Sequence, residues 1–157
     1  MTRIIGCGNL HRMDDAAGVL VAERLRELGI PTDVQSGSAF ELIESWYKDE
    51  DVILVDAVVT GSPIGTVHLW KGKPLKVPNN PQVSSHGFGV AEAINLARIL
   101  QLLPKSLSVY GIEGKIFGIG ETVSPEVLAS VEQVAQQIAQ AIQQTEAHNL
   151  QISSSHN

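Results

Sequence analysis

Cys7 is the chain's one cysteine, so no internal disulfide can form, a cysteine-based structural zinc site is excluded, and a reducing compartment suits the protein. Basic charge is also scarce. Lys and Arg number 11 against 17 Asp and Glu, a formal net charge of -6, and the cations are scattered, so no field exists to hold a nucleic-acid backbone or an anionic membrane. Long apolar runs are missing. Val52-Ile53-Leu54-Val55 is typical of those present, far short of the roughly 20 residues that span a bilayer. Met1 to Gly6 passes straight into strand-like sequence, without the apolar core and small-residue cleavage site of a secretory signal. Together these absences predict a cytoplasmic protein with neither nucleic acid nor membrane as partner. What is present is 157 residues, 43% hydrophobic and 18% charged, the composition of one globular domain with a sizeable core and enough charge for a soluble monomer.

The first strand is read over 3–7, ending in the turn-forming Gly6-Cys7-Gly8-Asn9. From Asp14 the period becomes helical through Ala17, Leu20, Val21, Arg24 and Leu28, and Gly29 with Pro31 marks the stop. A short strand over 32–36, a helix over 39–48 and a clear strand over 52–56 follow. Residues 57–85 carry Gly61, Pro63, Gly65, Pro74, Pro78 and Pro81 and read mostly as surface loop, with one strand at 66–70 between the breakers. Next come a helix over 87–103, closed by Pro104, and a strand over 107–112. Ser124 offers an N-cap oxygen, Pro125 suits the first helical position, and Val127, Val131, Val134, Ile138 and Ile142 make one apolar stripe. The domain is therefore drawn over 1–147, with 148–157 as a polar, aperiodic, flexible tail. Strands alternating with helices, and strands too apolar for a wetted face, predict an α/β three-layer sandwich. Its sheet is mostly parallel and doubly wound, of about five strands, with helices on both faces.

In such sheets ligands bind beyond the carboxyl ends of the strands, so the residues that follow each strand are the candidates. Gly6-x-Gly8 is not a dinucleotide fingerprint, because its third glycine would fall on the bulky His11; the two glycines serve a tight turn. Asp14 and Asp15 would repel a phosphate there, and as carboxylates at a helix start they have an ordinary stabilising role. Asp56 ends an otherwise apolar strand, where an acid is either at an edge or costly unless paired or bound to a cation. His86 immediately precedes a helix. Each has a bland explanation alone, but the topology brings Asp15, Asp56 and His86 to one rim, two carboxylates and an imidazole around an open cleft. That donor set suits a divalent transition metal whose shell is completed by water or by another molecule. Cys7 is assigned to the core, since acidic neighbours disfavour its thiolate.

Gly6-x-Gly8-Asn9 followed by Asp14-Asp15-Ala16-x-Gly18 resembles the amino-terminal signature of the [NiFe] hydrogenase maturation endopeptidases. Leu54-Val55-Asp56-Ala57, Ser85-His86-Gly87-Phe88-Gly89, Gly111-Ile112-Glu113 and Ser124-Pro125-Glu126-Val127 extend the resemblance over nearly the whole chain. It implies a cytoplasmic peptidase that removes a carboxy-terminal extension from the hydrogenase large-subunit precursor after nickel insertion. The metal-contacting and catalytic positions would then be Asp15, Asp56 and His86, and the nickel would be supplied by the substrate. Two departures from the family pattern stand out. Gln35-Ser36-Gly37-Ser38 replaces an Asp-Gly-Gly-[Ser/Thr] turn, and the glycine-rich loop Gly118-Ile119-Gly120-Glu121 is altered. The alternative from another class is a non-catalytic metal or large-subunit chaperone on the same fold.

Overall fold

The computed structural model describes residues 1–36, 38–72, 75–77 and 89–156. The apolar runs build one five-stranded sheet from β1 (Thr2–Cys7), β2 (Asp33–Gln35), β3 (Asp51–Val58), β4 (Val67–Lys71) and β5 (Ser106–Glu113), ordered β2-β1-β3-β5-β4. β2, β1, β3 and β5 run parallel, and β4 lies antiparallel on β5. The exception has a simple cause. No helix separates β3 from β4, and a short connection returns the chain antiparallel, whereas a parallel neighbour requires a long crossover.

Alternation along the strands sends apolar side chains to both faces, and each face is covered. α1 (Ala17–Glu27) and α4 (Pro125–Ser154) pack Val21, Leu25, Val127, Val134 and Ile138 against Ile4, Val55 and Ile112. On the other side α2 (Ala39–Glu44) and α3 (Val90–Ile99) place Leu42, Ile43, Ala93 and Ile94 over Ile5, Leu54 and Val109. Full burial of one such aliphatic side chain contributes about 1.5–3 kcal/mol, so the two clusters dominate the stability of the sandwich. The architecture is the three-layer α/β arrangement that the alternation of elements predicts. No helix among the described residues is long and apolar enough to cross a membrane.

Several boundaries differ from the sequence reading. The helix predicted from Asp14 starts with a separate 3-10 turn, Met13–Ala16, entered through Met13 at φ 53, and α1 proper begins only at Ala17. α2 is six residues long; Ser38 caps it in a reciprocal arrangement with Glu41, so Gln35-Ser36-Gly37-Ser38 leads into a helix start. Gly37 itself lies outside the described residues. α3 is described from Val90, and Gly87 and Phe88 likewise lie outside. α4 has 30 residues and continues to Ser154, through most of the segment expected to be aperiodic. Its last turns bury no apolar stripe: Leu150 is 71% exposed. Leu150 and Gln151 favour helix there, and the Ser153 hydroxyl bonds back to the Asn149 carbonyl.

Candidate active site

The strand order reverses direction at β1: the chain steps from β1 outward to β2 and then back across to β3, so the crevice between the carboxyl ends of β1 and β3 is a topological switch point. β1 ends at Cys7 while β3 runs on to Val58, and their pairing closes with Gly6 opposite Val55. Asp56 is thus the first β3 residue past the last β1 pair. The 3-10 turn carrying Asp15 packs on β3 from above this gap.

Two glycines let it approach so closely. A Cβ on Gly18 would stand 2.2 Å from the Cys7 carbonyl oxygen and 2.3 Å from that of Val55, so only glycine lets the start of α1 press on both strand ends. Gly8 has φ +138, and a Cβ there would lie 2.0 Å from the Asp15 carbonyl oxygen. The Gly6-x-Gly8 and Gly18 of the sequence are therefore devices for backbone contact, with no phosphate role required.

Asp15 and Asp56 are both half-buried at this crevice. Burial pushes the Asp56 carboxyl well above the usual carboxylate range, the negative charge of Asp15 pushes it further, and a hydrogen bond from the Ala57 backbone N–H opposes both. The Cys7 thiol is driven up by burial first and then by the charges of Asp56 and Asp15. These mutual effects place the three groups in one electrostatic neighbourhood. His86 lies outside the described residues, and among those described no group of three or more His, Cys, Asp or Glu is arranged to hold a metal ion.

Cys7 is 5% exposed and packs in the α2/α3 core as a small apolar side chain. A thiol held protonated by burial and two acids is a poor nucleophile. Cys7→Ala is accordingly expected to retain peptide cleavage in full and to lose about 1 kcal/mol of stability, read from a denaturant midpoint alongside an activity assay. Loss of cleavage in a folded variant would return the thiol to the chemistry.

Asp14, taken from the sequence as a charge at a helix start, has a larger part. It is fully buried: Oδ1 accepts from the Ser124 N–H at 2.8 Å, and Oδ2 accepts from the Lys115 and Ile116 N–H groups at 2.9 and 3.1 Å and from the Ser124 hydroxyl at 2.9 Å. Burial alone would raise its pKa, but these hydrogen bonds outweigh it and hold the carboxyl below its ordinary value. Ser124 consequently makes no N-cap side-chain bond to α4; its hydroxyl is committed to Asp14. The altered loop Gly118-Ile119-Gly120-Glu121 is tied beside the same turn through Met13 N–H to the Gly120 carbonyl and Gly120 N–H to the His11 carbonyl, leaving Ile119 86% exposed.

A second buried cluster escaped the sequence reading. Glu113, at the end of β5, is 1% exposed; its carboxylate accepts from the Thr60 N–H at 2.7 Å, the Thr60 hydroxyl at 2.6 Å and His68 Nε2 at 3.1 Å. The available signal was the one that singled out Asp56: an acid closing an apolar strand.

The mostly parallel α/β fold is shared with solved maturation endopeptidases. The hydrogenase maturating endopeptidase HybD from E. coli superposes with TM-score 0.71 at 22% identity, over 92% of this chain and 93% of that one. A [NiFe] hydrogenase maturation protease, HycI, from Thermococcus kodakarensis gives 0.63 at 29% identity, over 88% and 90%. In sequence, the hydrogenase 2 maturation protease of Escherichia coli K12 is 25% identical over 90% of both chains. The family model described as hydrogenase maturation protease matches residues 20–141, and the chain belongs to that family of endopeptidases.

Proposed function

We propose that this endopeptidase removes a carboxy-terminal extension from the large-subunit precursor of a [NiFe] hydrogenase, in the cytoplasm and as a monomer, after nickel has been inserted into that substrate. Asp15, Asp56 and His86 recognise the substrate-borne nickel and carry the cleavage. The observation that carries this reading is the strained pair at the switch point: Asp56 is disfavoured as an anion by burial and by Asp15, and an incoming divalent cation relieves both. An enzyme built this way has little hold on free metal, because too few protein donors converge to close a shell. Docking of a loaded substrate brings a divalent cation to the pair. Precursor without nickel brings no cation to the two carboxylates, which weakens the complex.

At the scissile bond the residues of this chain have two tasks. They hold the loaded substrate against the crevice, and one of the two carboxylates accepts a proton from the attacking water. The substrate's nickel supplies Lewis acidity beside the carbonyl.

Mixing the protein with nickel-loaded and with nickel-free precursor, and following the mass of the large subunit, tests the reading directly. The extension should be lost from the loaded precursor only. Equal cutting of both forms would remove nickel recognition from the proposal, and a tight complex without any mass loss would favour a chaperone.

A further inference from the structure

Three carboxylates are buried among the described residues: Asp14, Glu50 and Glu113. Asp14 binds the loop before α4, and Glu50 pairs with Arg3 at 3.0 Å. Glu113 has no such evident structural assignment, yet among the described residues every hydrogen bond it makes beyond β5 goes to the chain between β3 and β4 or to β4 itself. Its carboxylate holds Thr60 twice and His68 once, its N–H donates to the Thr66 carbonyl at 2.9 Å, and its carbonyl accepts from the Gly65 N–H at 2.8 Å. His68 in turn stacks on Trp70, ring centroids 4.9 Å apart and 10° from parallel. The Trp70 ring fills the place of a side chain at Gly111, where a Cβ would be 2.6 Å from its Cζ3. Gly111 is the β5 residue paired with Asp56.

Beyond Val55 the ladder between β1 and β3 has ended, so among the described residues the stretch of β3 that bears Asp56 pairs in the sheet with β5 alone. Val58 pairs with Glu113, and Thr60, two residues further, is fastened by the Glu113 carboxylate. The clamp thus sits on the supported side of an otherwise half-free strand end. We propose that Glu113, acting through Thr60, is a positioning residue that sets the direction of Asp56 toward the substrate. This rests on the reading of Asp56 as part of the active site. Reacting groups misplaced by about 1 Å lose on the order of a hundredfold in rate, so a clamp four residues away has leverage on turnover without touching substrate.

The test compares Glu113→Gln, Thr60→Val and Thr60→Ser with wild type and with Asp56→Ala, using nickel-loaded precursor and recording kcat, KM and a thermal melt for each. Glu113→Gln should lower kcat by about tenfold or more while KM stays within about twofold, in protein that is folded at the assay temperature. Thr60→Val, which keeps the N–H and loses the hydroxyl, should move kcat in the same direction. Thr60→Ser restores the hydroxyl and should return kcat to within about twofold of wild type. Should Glu113→Gln fail to fold, the two Thr60 variants decide alone. Wild-type kcat in folded Glu113→Gln and Thr60→Val, with Asp56→Ala inactive, would overturn the clamp and leave the active-site reading standing. Cleavage by Asp56→Ala would overturn that reading and the clamp together.

Discussion

Asp56→Ala is expected to lose processing of nickel-loaded precursor by at least about a hundredfold while melting no lower than wild type. The two halves of that result come from one cause. In the free protein the Asp56 carboxylate is opposed by its burial and by Asp15, so deleting it removes an unfavourable charge; under the proposed function the loaded complex needs that same charge. Its pH signature follows from the direction of the shift. A carboxyl whose pKa is raised by folding binds its proton more tightly in the native state. Wild-type stability therefore falls as pH rises from the unfolded value of about 3.9 toward the raised native one. Asp56→Asn should lack that decline. Paired melts of wild type and variant across this interval check the sign, and a variant that is both inactive and clearly less stable at neutral pH would contradict it.

Asp14→Ala should produce the largest stability loss, about 3–5 kcal/mol, because three backbone N–H groups and one hydroxyl would be left in a buried site without an acceptor. Here the shift has the opposite sense. The native carboxyl lies below its ordinary value, so its contribution is complete above the unfolded pKa, near 4, and disappears as pH falls through the native one. Urea midpoints from neutral pH down into acid should show wild type losing this increment while Asp14→Asn, already weakened at neutral pH, changes less. Since Asp14 also fixes the turn that presents Asp15, cleavage should fall together with folded fraction. Full activity in a stable Asp14→Ala protein would remove this carboxylate from the scaffold of the site.

The parts of this arrangement that were legible in the sequence are those with short-range signals. β3 announces itself as four consecutive apolar residues closed by Asp56, and β1 ends in glycines that mark the approach of α1. Asp15 and Asp56 follow because switch-point geometry depends only on strand order. The partners of Asp14 are another matter. Lys115, Ile116 and Ser124 lie 101, 102 and 110 residues away, and no local period or cap motif links them. Glu113 with Thr60 and His68 was hidden for the same reason, with separations of 53 and 45 residues. The direction of β4 leaves no trace in its own alternation, which is identical for parallel and antiparallel strands; the missing crossover helix before it was the usable clue. The length of α4 was underestimated because hydrophobic period ends where contact with the sheet ends, whereas backbone hydrogen bonding need not.

The long α4 also determines how the molecule can be handled. Its first residue adjoins Ser124, which is bonded to Asp14 beside the crevice, and its 30 residues extend for about 45 Å from there. A fluorophore or surface linker attached near Asn149 would ride on a rigid rod whose root lies beside the cleft and whose tip is far from it. Immobilised by that tip, the enzyme would present its crevice outward to a macromolecular substrate, an orientation suited to sensor chips and single-molecule tethers.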